Sequence, residues 1–259
     1  MTILDEIAEN TKRRVAEAKE KISLEEVKKK AYKLPKGDFK FEKALAKPEL
    51  SFILECKKAS PSKGVIAGNF PYLDIAKDYE KAGCDAISVL TEPKWFLGKN
   101  KYLQEIAREV SVPVLRKDFT VDEYMIYEAK ILHASAVLLI VAILSEEQLK
   151  KYLNICNELG LSAIVEIHDE TEAEIAIKAG ARIIGVNNRN LKDFTVDMDN
   201  TRKLRDKIPE NILLVSESGM KCAEDIKKVK SMGINAVLIG ETLMRAENKK
   251  ETLMKLKGR

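Results

Sequence analysis

Eight short apolar runs rich in β-branched residues punctuate this chain, and their spacing constrains its fold more than any other feature. They are Phe52–Lys57, Ala86–Leu90, Pro113–Lys117, Ala136–Ala142, Ala163–Ile167, Ile183–Asn187, Ile212–Glu217 and Ala236–Gly240. Each begins about 20 to 34 residues after the last, enough for one crossover helix between parallel strands. Helical patterns fill those intervals, as in Asp74–Ala82, Val121–Leu132, Glu146–Leu159, Glu170–Ala179 and Ala223–Met232. Gly83, Gly160, Gly180 and Gly233 stand where a helix hands over to the next strand, the place for a left-handed cap. Near-continuous apolar strands alternating with helices predict a parallel sheet buried on both faces. Eight units fit closure better than an open sheet, and no G-x-G-x-x-G turn marks a dinucleotide site. The expected class is α/β, a (βα)8 TIM barrel, and 259 residues suit one such barrel.

Composition narrows the partners. The chain has 45 Lys+Arg against 41 Asp+Glu, and the excess of +4 is spread out, so no nucleic-acid footprint is expected. Cys56, Cys84, Cys156 and Cys222 lie far apart without a C-x-x-C pair, which argues against a disulfide scaffold or a zinc site. The stretch Met1–Ile7 is acidic and amphipathic, unlike a signal peptide, and the apolar stretch Ala136–Leu144 is too short to cross a bilayer. A cytoplasmic protein without metal or membrane partner is the expectation. The high charged fraction, 33%, points to helix surfaces rich in ion pairs.

Residues 1–48 read as a helical extension and 49–259 as the barrel, the two forming one domain. Ile3–Lys21 and Leu24–Tyr32 look helical, and Phe39, Phe41, Ala44 and Leu45 offer apolar contacts. Two placements stay open: a cap on the bottom or side of the barrel, or a lid over its active face.

Barrels of this kind carry chemistry at the C-terminal ends of their strands. Period-two alternation puts Glu55 and Lys57 on one face of the first strand, and Leu115, Lys117 and Phe119 on one face of the third. Glu166, Asn187 and Glu217 end the fifth, sixth and seventh strands. Taken singly, each could be a satisfied ion pair. Together they would place several charges in one mouth, a costly arrangement that a fold rarely keeps for stability. Ser218-Gly219 and Gly240-Glu241 precede helices after strands seven and eight, the usual phosphate cradle of such barrels, although both glycines could simply turn the chain. Ser60-Pro61-Ser62-Lys63-Gly64 adds hydroxyls and a cation. His133, ending a helix, suits a capping cation, and His168 could shuttle protons, although a loop role fits it better. Trp95-Phe96 reads either as core or as a wall for a ring.

These strand ends resemble those of indole-3-glycerol-phosphate synthase. The matching stretches run from Glu55 to Gly64, Ala86 to Glu92, Leu115 to Phe119, Val137 to Val141, Val165 to His168, Gly185 to Leu191, Ser216 to Gly219 and Leu238 to Gly240. The resemblance implies a carboxy-lyase of tryptophan biosynthesis acting on 1-(2-carboxyphenylamino)-1-deoxyribulose 5-phosphate, a phosphosugar–anthranilate substrate. It closes the pyrrole ring with loss of carbon dioxide and water, without metal or organic cofactor. By matching position, Lys117 would be the general acid and Glu166 the general base, with a raised pKa expected of a Glu in such a mouth. Glu55 and Lys57 would form an acid/base and positioning pair. Asn187, Glu217 and Ser218 would hold the sugar hydroxyls and orient the lysines.

The resemblance also implies a phosphate site near Ser60, Arg189, Ser218, Gly219, Gly240 and Glu241. It implies an aromatic pocket of Phe96, Leu115, Phe119, Leu138 and Ile140. Glu241 departs from the small residue common there, so its carboxylate should point away and only its N–H should serve. The turn at His133 lacks the usual Gly. A fused second barrel is not expected in a chain of this length, and a monomer is expected. The nearest rivals are another phosphosugar barrel, such as phosphoribosylanthranilate isomerase or a tryptophan synthase α-like subunit, and a non-catalytic binding subunit.

Overall fold

The computed structural model describes residues 2–190 and 193–258, so expectations that touch Met1, Leu191 and Arg259 lie outside the described residues. Eight parallel strands close into a barrel: β1 (Ser51–Cys56), β2 (Ala86–Leu90), β3 (Val114–Lys117), β4 (Ala136–Ile140), β5 (Ser162–Ile167), β6 (Ile183–Asn187), β7 (Leu213–Glu217) and β8 (Ala236–Ile239). Each pairs with its sequence neighbours, and β1 shuts the ring against β8 with Ile53 opposite Leu238. The eight apolar runs are these strands, with ends shifted by a residue or two. β4 stops at Ile140 because Val141–Ile143 tightens into a 3₁₀ turn, and Gly240 is already the cap of the following helix.

Alternation along each strand sorts side chains into two cores. Ile53, Leu115, Leu138, Ile164, Ile183, Val215 and Leu238 fill the barrel interior, while Leu54, Ile87, Leu139, Val165, Ile184 and Val237 face the helices. The helices are α1 (Ile3–Lys21), α2 (Leu24–Tyr32), α3 (Lys40–Leu45), α4 (Tyr72–Ala82), α5 (Asn100–Glu109), α6 (Glu123–Ile131), α7 (Glu146–Leu159), α8 (Glu170–Lys178), α9 (Asp199–Arg205), α10 (Ala223–Ser231), α11 (Glu241–Arg245) and α12 (Lys249–Leu256).

Gly83, Gly160, Gly180 and Gly233 all take positive φ, as a helix-to-strand turn requires. His133 takes that left-handed position after α6, with φ 64°. It does not suit a capping cation. Burial, then the nearby Arg108 and Lys130, push its imidazole below its ordinary pKa and favour the neutral ring.

The extension occupies both ends of the barrel. α3 seals the bottom: Phe41 and Leu45 are fully buried in the interior column, and the Glu42 N–H donates to Ser162 Oγ at 3.1 Å. α1 reaches the opposite end, where Ile3, Leu4 and Ile7 line the mouth. Its start is fixed by a capping box in which the Thr2 N–H donates to Asp5 Oδ2 at 2.7 Å and the Asp5 N–H donates to Thr2 Oγ1 at 3.2 Å. Arg14 and Lys19 then bind Asp118 and Asp122, both at 2.7 Å, tying α1 to the segment after β3. Among the described residues no helix is long and apolar enough to cross a membrane.

Candidate active site

The polar residues at the strand ends converge. Glu55, Lys57, Lys117, Glu166, Asn187 and Glu217 all line one cavity of about 690 Å³ at the C-terminal end of the barrel. The strand pattern explains why: Glu55 continues the inward row of Ile53, and Lys117 that of Leu115, one step nearer the mouth. Glu55, Glu166 and Glu217 are 4%, 2% and 2% exposed.

Lys117 is the hub. Its Nζ lies 3.2 Å from Glu166 Oε2 and 3.1 Å from Glu217 Oε2. A second pair, Lys57 Nζ to Glu55 Oε1 at 2.5 Å, sits beside it. Asn187 bridges the other side: its Nδ2 donates to Glu166 Oε1 at 3.1 Å, and its Oδ1 accepts from Ser218 Oγ and the Arg189 N–H, each at 3.1 Å. Two glycines leave room for the carboxylates. A Cβ on Gly185 would stand 2.4 Å from Glu217 Oε1, and one on Gly240 would stand 2.5 Å from Glu55 Oε1.

The charges are not equivalent. Burial disfavours the Lys117 ammonium, but Glu217, Glu166 and Glu55 outweigh it and hold its pKa above the ordinary lysine value. Burial raises Glu217 to about 7, helped by Glu166 and Glu55 and opposed by Lys117. Burial acts on Glu166 too, yet Lys117, His168 and Asn187 prevail and its pKa falls. The carboxyl with the raised pKa is therefore Glu217, against the expectation for Glu166. Glu166 carries three donors or cations, whereas Glu217 Oε1 is buried with no hydrogen-bond partner among the described residues.

The two ends of the cavity differ in character. On one side are Phe96, Phe119, Leu138 and Ile140, with the two phenyl rings 5.9 Å apart and tilted by 41°. Phe96 is set there by Glu92, whose buried carboxylate accepts the N–H groups of Lys94, Trp95 and Phe96. Trp95 does not face the cavity; its ring lies under the Lys94 ammonium. Leu115 does not line it either, because it is fully buried one inward step below Lys117. On the other side are Ser60, Arg189, Ser218, Gly219, Gly240 and Glu241.

The Glu241 carboxylate pairs with Arg245 at 3.1 Å and approaches Lys63 at 4.0 Å. The helix after β7 begins only at Ala223, with Met220, Lys221 and Cys222 intervening, so Ser218-Gly219 does not directly precede it. Both Ser218 and Gly219 take positive φ, which carries the chain sharply away from the strand. His168 lies in the loop after β5, and its ring reaches both Glu166 and Glu172. Among the described residues, no group of three or more His, Cys, Asp or Glu is arranged to hold a metal ion.

A family model described as indole-3-glycerol phosphate synthase matches residues 4–256. The chain belongs to the indole-3-glycerol phosphate synthase family. The protein of that name from Ruminiclostridium cellulolyticum is 56% identical over 257 residues, covering 99% of each chain. The one from Lacticaseibacillus casei is 52% identical over 260 residues, again covering 99% of each. Among solved structures, a 3-hexulose-6-phosphate synthase aligns with TM-score 0.67 at 13% identity, covering 81% of this chain and 99% of that one. Phosphoribosylanthranilate isomerase from Thermotoga maritima aligns with TM-score 0.58 at 16% identity, covering 82% and 100%. At such identities these likenesses show the barrel alone.

Several lining residues of this member of the indole-3-glycerol phosphate synthase family carry no strand-end signal. Ile3, Leu4 and Ile7 come from α1, and Lys221 and Arg245 from segments beyond β7 and β8. An apolar stripe at helical spacing signals burial of a face, but not the surface that it covers.

Proposed function

We propose that this chain is an indole-3-glycerol phosphate synthase, converting 1-(2-carboxyphenylamino)-1-deoxyribulose 5-phosphate to indole-3-glycerol phosphate, carbon dioxide and water. The observation that carries the reading is one ammonium held between two buried carboxylates, at a mouth with an apolar aromatic wall on one side and hydroxyls, glycines and cations on the other. Such a cavity holds a molecule with an aryl group at one end and a phosphate at the other, and so brings the reacting carbons together.

In this reading the ring carbon bearing the carboxylate attacks the sugar carbonyl, and Lys117 delivers its proton to the developing oxyanion. Carbon dioxide leaves and the ring regains aromaticity. Glu166, ionised at rest, then takes a proton from the carbon beside nitrogen, while Lys57, acid of the Glu55–Lys57 pair, protonates the new hydroxyl so that it departs as water. The first step prepares the second. Once Lys117 has given up its proton, the cation that depresses Glu166 most is gone, and the carboxylate becomes a stronger base. Lys57, paired with Glu55, is also placed for the substrate carboxylate; Asn187, Glu217 and Ser218 hold hydroxyls and orient the lysines. Ser60, Arg189, Gly219, Gly240 and the Glu241 N–H take the phosphate, and Phe96, Phe119, Leu138 and Ile140 the ring, with Leu115 supporting from below.

The chain is read as a monomer, with residues 1–48 and 49–259 as one unit because Phe41 and Leu45 of the extension are buried in the interior column of the barrel. The unpaired, mostly buried cysteines suit the cytoplasm. The test mixes the purified protein and substrate with EDTA and follows indole fluorescence. Growth of the signal is expected. In Lys117→Met, turnover should fall by about 10³-fold or more while phosphate binding is kept. A flat trace from the parent protein with tight binding would favour a binding subunit, and loss of binding in Lys117→Met would mean that the lysine holds substrate instead.

A further inference from the structure

Beside the catalytic cavity lies a second one of about 620 Å³, and His168 stands between them. The residue directly follows β5, so its side chain leaves the chain on the same side as Glu166, two positions earlier. Its Nε2 is 3.5 Å from Glu166 Oε1, is buried, and has no hydrogen-bond partner among the described residues. Its Nδ1 is 3.1 Å from Glu172 Oε2, and the same oxygen accepts the His168 backbone N–H at 2.7 Å. Asn200 Nδ2 donates to the His168 carbonyl at 3.1 Å. Backbone and ring are therefore both held, and the free nitrogen is aimed at one oxygen of one carboxylate.

That oxygen accepts a hydrogen bond from Asn187, while Lys117 occupies Oε2. Glu166 is thus gripped from both ends. We propose that His168, anchored by Glu172, is a positioning residue that steers the Glu166 carboxylate from its Oε1 side. The proposal rests on the reading of Glu166 as the base. His168 touches the reaction only through Glu166, since it lies outside the lining of the catalytic cavity.

The electrostatics point the same way. Burial works against the charged imidazole, but Glu172, Glu166 and Glu217 together raise its pKa, and the ring in turn helps to keep Glu166 ionised. Asp5, Asp169, Asp197 and Arg189 are the further charged groups around the second cavity. Replacing His168 by a neutral residue removes a cation from beside Glu166 and raises that carboxylate's pKa. The acid limb of kcat/KM must then move to higher pH, because the base has to be ionised.

The experiment compares pH profiles of the parent, His168→Gln, Glu172→Gln and Glu166→Gln. In His168→Gln we expect kcat to drop about tenfold, KM to stay within about twofold, and the acid limb to move up by roughly one unit. Glu172→Gln should move the limb the same way by less, and it serves as the test if His168→Gln fails to fold. An unmoved acid limb in the folded variants, with Glu166→Gln inactive, overturns the role of His168 alone. An active Glu166→Gln instead overturns the reading of Glu166, and this inference with it.

Discussion

Glu166 and Glu217 flank the same ammonium at nearly the same distance, yet they titrate in opposite directions. The difference lies in their remaining oxygens: Glu166 Oε1 faces Asn187 and His168, and Glu217 Oε1 has no hydrogen-bond partner among the described residues. This has a consequence for stability. A raised Glu217 binds its proton more tightly in the folded chain than in the unfolded one. Its stabilising contribution is complete below the ordinary carboxylate value and is lost as pH rises through about 7. Glu217→Gln keeps the shape and does not titrate. Relative to the parent, the variant should be equally stable near pH 5 and more stable near pH 8, by on the order of 2 kcal/mol. Thermal melts across that range would show a difference in Tm that grows with pH; a difference independent of pH would refute the assignment. The meeting of both residues at one lysine is legible in the sequence, because each ends an inward row of a parallel strand. Which of them is raised is not legible, for it depends on a donor brought in by Asn187, on another strand, and on the charge of His168, in a loop.

At the scale of elements, the extension shows what a pattern conveys and what it omits. The capping boxes Thr2–Asp5 and Ser23–Glu26 and the stripe of Leu4, Ile7, Thr11 and Val15 mark helices with one buried face. A stripe has no address, so cap and lid look alike in the sequence, and the chain builds both. What fixes α1 over the mouth is Asp118, whose side chain is wholly buried. Arg14 binds it at 2.7 Å, the Thr91 hydroxyl donates to it at 2.6 Å, and Arg116 lies 3.7 Å away. Burial alone would raise the Asp118 pKa, and the two guanidiniums, with Thr91, bring it below the ordinary value. Its stabilisation is therefore present at neutral pH and is lost as pH falls through the lowered folded value. Arg14→Met leaves this buried charge short of a partner. It should cost about 3 kcal/mol at pH 7, less in acid. Because α1 also supplies Ile3, Leu4 and Ile7, KM should rise several-fold with little change in kcat. Urea titrations at pH 7 and pH 4, with steady-state kinetics at pH 7, check both halves; an unchanged KM would mean that α1 holds its place without Arg14.

Across the whole molecule, stability and chemistry occupy opposite ends of one interior column. The ion pairs most open to solvent, such as Lys12–Glu9 and Lys255–Glu251, are more than half exposed on both sides and contribute little at ordinary temperature. The main stabilisation comes from the two apolar cores, and the inner one runs from Phe41 and Leu45 at the bottom, through Ile53, Ile164 and Val215, to Leu138, Ile140 and Leu4 at the mouth. Barrels separate these ends so that catalytic groups can be held in costly arrangements at the top while the floor is packed for stability alone. Phe41 tests that separation, being fully buried and distant in the column from every charged residue of the site. Phe41→Ala removes a whole ring and leaves a cavity, which costs about 3 to 5 kcal/mol. In a chain of this length that lowers Tm by roughly ten degrees. The strand ends above it keep their register through the ladder between Asn187 and Glu217 and between Ile140 and Glu166. At a temperature where the variant is fully folded, kcat should therefore stay within about twofold of the parent, and the acid limb of its pH profile should not move. A tenfold loss of kcat in folded Phe41→Ala would mean that the floor of the barrel sets the geometry of Lys117 and its carboxylates, and that packing and chemistry here are one structure.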